Sequence, residues 1–361
     1  MTRHEPIRIL VIDDSAFSRQ TITRMLESSP LVEVVGVARD GEDALRKTLE
    51  LEPDLITLDL QMPRMDGFTF LRIVMARRPT PIIVISSRRG EDDVFRALDL
   101  GAVDFIAKPT AHPAPELQTI EEGLIRKVHA IRDLRIDRVA DRIQKSPPIL
   151  TAPGAEVSGI TPVVVIGSST GGPPALTQIL GAFPEPPPCA FLVAQHMPPG
   201  FTRGFAERLD RLTPLRVREA EGGERIEAGT VLIAPGGGHL ELEIRDSRLR
   251  SRLDRDVDSA RNVPSVDRLF SSAAKVAGED LLAIVLTGMG DDGRKGACQV
   301  KAAGGRVIAE SEETALIYGM PRQVVAAGAA DEILPLPEIP AAIQRALAPG
   351  VRRGSRRGRR E

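Results

Sequence analysis

Residues 7–14 read Ile-Arg-Ile-Leu-Val-Ile-Asp-Asp, an apolar, β-branched run that stops on two carboxylates and is followed by a helical pattern over 15–28. A short, near-continuous apolar run of this kind reads as a strand buried on both faces, which is the habit of parallel sheets. The pattern repeats outward from it. "VEVVGVA" is followed by a helical stretch over 41–51, "DLITLDL" by 67–77 and "PIIVISS" by 91–100, and "VDFIA" completes the series before a further helix. Five strands, each followed by a helix, predict an open parallel sheet covered on both faces, with any ligand site at the carboxyl ends of the strands. A second α/β series starts at "VVVIGS" (163–168) and runs to about 348. It includes "AFLVAQ", "LRVREA", "TVLIAP", the hairpin-like "HLELEIRDSRLRSRLD", "LLAIVLTG" and "GRVIAE".

Between the two series, Leu117, Ile120, Leu124, Val128, Ile131 and Leu134 fall at spacings of three and four. This predicts one amphipathic helix from Leu117 to Ile143. The Pro-, Gly- and Ser-rich "SPPILTAPGAEVSGITP" behind it reads as an interdomain linker.

A chain of 361 residues with 42% apolar and 27% charged residues fits two soluble domains. No apolar run is long enough to span a bilayer, and the N-terminus lacks a signal-peptide pattern, so a cytoplasmic location is expected. The two cysteines, Cys189 and Cys298, are far apart, which suggests neither a disulfide framework nor a zinc cluster. Both are expected to pack as small apolar residues. Residues 350–361, "GVRRGSRRGRRE", carry six arginines against one glutamate and predict a disordered tail. Such a tail can attract nucleic acid, an anionic surface or an acidic partner, although a solvated terminus without a partner is the simpler reading.

Asp13 and Asp14 end the first strand, Asp59 the third and Ser86 the fourth, and Lys108 with Pro109 ends the fifth. In a parallel sheet these ends share one rim. Taken singly, each Asp suits a turn or a helix cap. Together, three carboxylates repel unless a cation neutralises them, and a hard divalent ion such as Mg²⁺ fits. Asp59 is then placed to accept a phosphoryl group as a nucleophile, with Ser86 and Lys108 bonding its oxygens.

Residues 7 to about 125 resemble a response-regulator receiver domain on "DDS" (13–15), "DLQMPRMDG" (59–67), "ISS" (85–87) and "DFIAKP" (104–109). The resemblance implies a (βα)5 flavodoxin-like fold and Asp59 as phosphoacceptor. It also implies Mg²⁺ held by Asp13, Asp14, Asp59 and the backbone of Gln61, with Ser86 as the switch hydroxyl, Lys108 as the phosphate contact and Phe105 as the aromatic switch residue.

In the second half, Gly167-Ser-Ser-Thr-Gly171 fits G-x-S-x-G, a strand-to-helix turn that holds out its central serine, Ser169. N–H groups at the start of the following helix would serve an oxyanion. The same turn also suits a phosphate cradle, but neither GxxxxGK[ST] nor GxGxxG is present. His196 in "VAQHMPPGFT", or His239 in "APGGGHL", is the available base, and Asp291 and Asp292 in "LTGMGDDG" are available orienting acids. The order Ser, His, Asp disfavours an ordinary α/β-hydrolase.

Residues 160–345 resemble the chemotaxis protein-glutamate methylesterase family, CheB, on "IGSSTGG", "QHMPPGFTRGFAERL", "IAPGGGH", "PSVDRLF", "LTGMGDDG" and "YGMPR". The resemblance implies a doubly wound, mostly parallel α/β catalytic domain. Ser169 is then the nucleophile, His196 the base and Asp292 the orienting acid, with the backbone of Met289 at the oxyanion site and no cofactor for the esterase step. The expected organisation is a receiver over 1–125, a connector helix and linker over 126–161, a catalytic domain over 162–348 and an Arg-rich tail over 349–361, the tail not being a hallmark of the family. The expected function is a phosphorylation-activated hydrolase that removes methyl esters from chemoreceptor glutamates, deamidates selected glutamines and takes phosphate from a chemotaxis-type histidine kinase. A non-catalytic phospho-dependent adaptor is the alternative. Ser168, Asp291 and Val263 depart from the family's usual Ala, Asn and Arg.

Overall fold

The computed structural model describes residues 5–86, 91–109, 114–131, 134, 161–256 and 262–348. The first sheet consists of β1 (Ile7–Ile12), β2 (Val32–Ala38), β3 (Leu55–Asp59), β4 (Ile82–Ser86) and β5 (Asp104–Ala107). Its order is β2-β1-β3-β4-β5 and every pairing is parallel. Helices α1 (Ala16–Glu27), α2 (Gly41–Leu51), α3 (Gly67–Arg77), α4 (Glu91–Asp99) and α5 (Ala114–Ala130) follow the strands in turn. Every residue of β3 and β4 is buried, as continuous apolar runs require.

The second sheet has seven strands: β6 (Val163–Ser168), β7 (Ala190–Gln195), β8 (Arg216–Glu219), β9 (Thr230–Ile233), β12 (Leu281–Val285), β13 (Arg306–Glu310) and β14 (Glu332–Leu334). Its order is β14-β13-β12-β6-β7-β9-β8, again with parallel pairings. The hairpin-like segment forms β10 (His239–Arg245) and β11 (Arg248–Asp254), a separate antiparallel pair. Helices α6 (Gly172–Gly181), α7 (Thr202–Leu212), α8 (Val266–Ala277), α9 (Arg294–Ala302), α10 (Met320–Ala326) and α11 (Ile339–Leu347) complete the domain. Because β6 has β12 on one side and β7 on the other, the chain reverses its winding there, and the crevice outside their carboxyl ends is the expected ligand position.

The long helix from Leu117 to Ile143 is corrected. It ends at Ala130, and Leu134 instead makes an isolated antiparallel bridge to Ile317. Ile131 packs on the receiver core, and Leu134 packs beside Val103 and Leu316. Their spacing therefore records burial beyond the last residue of the helix. The linker from 135 to 160 and the tail from 349 lie outside the described residues. The cysteine expectation is half corrected: Cys189 is buried, which pushes its thiol up, whereas Cys298 is exposed on the outer face of α9. No helix among the described residues is long and apolar enough to cross a membrane.

The two domains share an apolar cluster. Phe95 on α4 stacks on Phe205 of α7 with centroids 5.3 Å apart, and Phe105 of β5 meets Phe201 at 4.8 Å. Ion pairs flank them, Asp99 with Arg208 and Asp92 with Arg211, the latter at 3.3 Å.

Candidate functional site

On the receiver rim, the carboxylates of Asp13, Asp14 and Asp59 each bring an oxygen within 4.8 Å of the others. Asp13 and Asp59 are buried and Asp14 is exposed. Lys108 Nζ lies 2.6 Å from Asp59 Oδ2 and 3.0 Å from Asp13 Oδ2, and the N–H of Gln61 donates to Asp59 Oδ1 at 3.3 Å. Burial and the charge of Asp59 hold the Asp13 carboxyl above the usual range, despite Lys108 and the N–H of Ser15. Burial pulls the Lys108 ammonium down, but bonds and charge from Asp59 and Asp13 outweigh it and raise its pKa. One lysine against three carboxylates leaves the rim short of positive charge, so the residues present fit a divalent cation. Ser86 and Asp93 complete the cavity, which measures about 210 Å³. Phe105 lies away from this cavity, buried against Phe201 at the domain interface.

In the second domain, β6 delivers Ser169 into a sharp turn. Gly171 takes the left-handed conformation at φ 77°, and Pro173 sits in the first turn of α6. The N–H of Ser169 donates to Thr287 O at 3.0 Å, and the N–H of Gly172 donates to Ser169 O at 2.8 Å. Neither is therefore a free oxyanion donor, which corrects part of the helix-start expectation. Gly288 presses against the nucleophile turn: a Cβ there would lie 2.8 Å from Ser169 Cβ. Met289 is the residue that follows this close approach.

His196 follows β7, and its Nε2 lies 2.8 Å from Asp292 Oδ2. Asp292 is buried and richly bonded. Its Oδ2 also accepts the N–H of Val266 at 2.8 Å. Its Oδ1 accepts the Ser265 hydroxyl at 3.1 Å and the N–H groups of Asp267 at 2.8 Å and Gly293 at 3.1 Å. Burial alone would push this carboxyl up, but the His196 contact and the backbone donors outweigh it and hold the group low. An ionised Asp292 only accepts, so His196 carries its proton on Nε2 and keeps a lone pair on Nδ1.

Ser169, His196 and Asp292 thus sit at the ends of β6, β7 and the segment after β12, around the same switch point. His239 is fully buried and accepts the Ser265 N–H on Nδ1 at 3.0 Å, so it braces the loop that holds Asp292 and is not a second base. Asp291 turns outward to Arg294 at 3.6 Å. Sequence reasoning missed Ser265, the cap of α8, although the Ser before an apolar helix is a readable signal. It also missed Thr287 and Gln195, which no local pattern marks. Asp104 of the receiver accepts the hydroxyl of Thr170, the neighbour of Ser169, and also pairs with Lys127.

Residues 9–118 match the family model described as the response regulator receiver domain, and residues 164–343 match that described as CheB methylesterase. Protein-glutamate methylesterase/protein-glutamine glutaminase 3 of Geobacter sulfurreducens is 50% identical, over 91% of this chain and 94% of its own. Protein-glutamate methylesterase/protein-glutamine glutaminase 1 of Myxococcus xanthus is 49% identical over 92% and 95%. The crystal structure of the Thermotoga maritima CheB methylesterase catalytic domain is 44% identical, covers 53% of this chain and 98% of its own, and has a TM-score of 0.49. A parallel five-stranded receiver in front of a second α/β domain makes this protein a response regulator with a C-terminal output domain. That output domain is a methylesterase domain, and the chain belongs to the CheB family of protein-glutamate methylesterases/protein-glutamine glutaminases.

Proposed function

We infer that the protein demethylates glutamate methyl esters, and deamidates glutamines, on the cytoplasmic part of a chemoreceptor, under the control of phosphorylation by a histidine kinase. The observation that carries this reading is the Asp292–His196 pair beside the Ser169 turn at the switch point of the second sheet.

In this reading Ser169 Oγ attacks the side-chain carbonyl carbon while His196 Nδ1 takes its proton. Asp292 stabilises the imidazolium, and the backbone N–H of Met289 faces the oxyanion. The proton then passes to the leaving methoxide, so methanol departs, or to the leaving amine, so ammonia departs. Both routes converge on one Ser169 acyl-enzyme. Water, deprotonated by His196, attacks the acyl carbon and releases glutamate with Ser169 restored.

The receiver, taken as residues 1–125, sits over this site, with 126–161 as connector and 162–348 as the catalytic domain. Asp13, Asp14, Asp59 and the backbone of Gln61 would hold Mg²⁺. The ion would supply positive charge to the transferring phosphoryl group. Asp59 takes the phosphoryl group and Lys108 and Ser86 bond its oxygens. Lys108 currently spans Asp59 and Asp13, and Phe105 and Asp104 belong to β5, the strand that Lys108 follows. Repositioning at the rim therefore acts on the strand that touches Thr170 and Phe201.

The test is methanol release from methylated receptor with and without a small phosphodonor. Wild type is expected to release methanol faster with the donor, Asp59→Asn to lose that response, and Ser169→Ala to release none. Ser169-independent release would overturn the catalytic reading.

A further inference from the structure

We propose that Gln195 is a positioning residue for the reaction: its one amide group clamps the nucleophile and the base to each other, and the hydroxyl of Ser168 locks that amide in orientation. The proposal rests on Ser169 and His196 being nucleophile and base.

Gln195 is the last residue of β7, and Ser168 is its register partner at the end of β6. Both are buried, at 2% and 0% exposure. Gln195 Nε2 donates to Ser169 O at 2.9 Å and to His196 O at 3.0 Å. Its Oε1 accepts the Ser168 hydroxyl at 2.7 Å. The amide has two donor hydrogens, and both are spent, each on the carbonyl of a reacting residue. Its orientation is unambiguous, because the flipped amide would set its oxygen against two carbonyl oxygens that can only accept.

Space for the clamp is reserved by Gly172, where a Cβ would fall 2.0 Å from Gln195 Oε1 and 2.8 Å from Ser168 Cβ. A second tie runs beside it, from the N–H of His196 to Ser168 O at 3.0 Å. The two tips of β6 and β7 are thereby joined on both sides. The relation of Ser169 to His196 is then set by this backbone tie and the Gln195 amide together rather than by two independent turns. Ser168 thereby gains a role: it supplies a donor to Oε1.

Misplacing reacting groups by about 1 Å costs on the order of a hundredfold in rate. Gln195→Met keeps the length of the side chain and removes both donors. It is expected to lower kcat about ten- to a hundredfold with KM within about twofold. Ser168→Ala leaves both donors in place and is expected to lower kcat only a few-fold.

If Ser168 works through Gln195, adding Ser168→Ala to Gln195→Met lowers kcat no further, a non-additivity that two independent packing defects would not produce. The assay is methanol release by full-length protein, normalised to the concentration of folded protein, with Ser169→Ala run alongside. An inactive Ser169→Ala together with a Gln195→Met kcat within twofold of wild type overturns the clamp alone. Additive losses in the double variant overturn the Ser168 part. An active Ser169→Ala overturns the underlying site assignment.

Discussion

Replacing Asp292 by Asn is a near-isosteric change whose outcome follows from how the donors divide between its two oxygens. Oδ1 receives the Ser265 hydroxyl and the N–H groups of Asp267 and Gly293, while Oδ2 receives His196 Nε2 and the N–H of Val266. An asparagine has one acceptor oxygen and will turn it toward the side with more donors, which sets its NH₂ against Val266 N–H and His196 Nε2. His196 can answer only by accepting on Nε2 and moving its proton to Nδ1. The lone pair that should receive the Ser169 proton is then gone. Loss of the working tautomer in a Ser-His-Asp system costs roughly 10⁴ in kcat, or about 5 kcal/mol of transition-state stabilisation. The opposed donors at Val266 cost about 1–3 kcal/mol of stability besides. Asp292 has its carboxyl held below 3.8 in the folded state, so its contribution to stability is present above that value and fades as pH falls through the lower folded pKa. The variant lacks this acid slope. The assay is methanol release per folded protein at neutral pH, alongside denaturant unfolding as pH is lowered. A variant within tenfold of the wild-type kcat would refute the tautomer argument, because the geometry leaves asparagine no other way to satisfy the Oδ1 side.

Two other perturbations test the receiver. Arg208→Glu opposes like charges at the Asp99 contact, where Arg208 is 21% and Asp99 48% exposed; discounted for that exposure the effect is about 1 kcal/mol. The unstimulated rate of methanol release should rise about fivefold and the response to a phosphodonor should shrink by a similar factor, while an unchanged unstimulated rate would count against a closing role for this interface. Asp13 is held above the ordinary 3.8 by burial and by Asp59, so at neutral pH its charge costs stability, and that cost is relieved as pH falls through its folded pKa. Asp13→Asn should therefore raise the thermal midpoint of the full chain at pH 7 without divalent ion, by no more than about 2–4 °C per kcal/mol relieved. It should also lose the further rise that Mg²⁺ gives to wild type; a lower midpoint would reverse the sign of the argument.

The strands were legible because a strand buried on both faces must be an unbroken apolar run, and β3, β4, β6 and β7 are buried along their whole length. The site residues were legible for a related reason: no charged group interrupts these runs before their last residue, so the polar residues at their ends stand out. Periodicity records burial, however, and not what does the burying. Ile131 and Leu134 continue the spacing of α5 while the chain has left the helix. The rings of Phe201 and Phe205, which no reading of the sequence singled out, lie against Phe105 and Phe95 of the receiver. Gln195 reads as an ordinary polar strand end because its burial comes from Ser168 across the sheet, a register that no local pattern encodes.

These unread contacts meet on one turn. Thr170 gives its hydroxyl to Asp104 of the receiver, and the preceding carbonyl, that of Ser169, is held by Gln195, which also holds His196. One peptide link therefore separates the receiver's hold on the catalytic domain from the clamp that sets nucleophile against base. A displacement of β5 reaches Ser169 through that peptide before any larger movement of the two domains is needed.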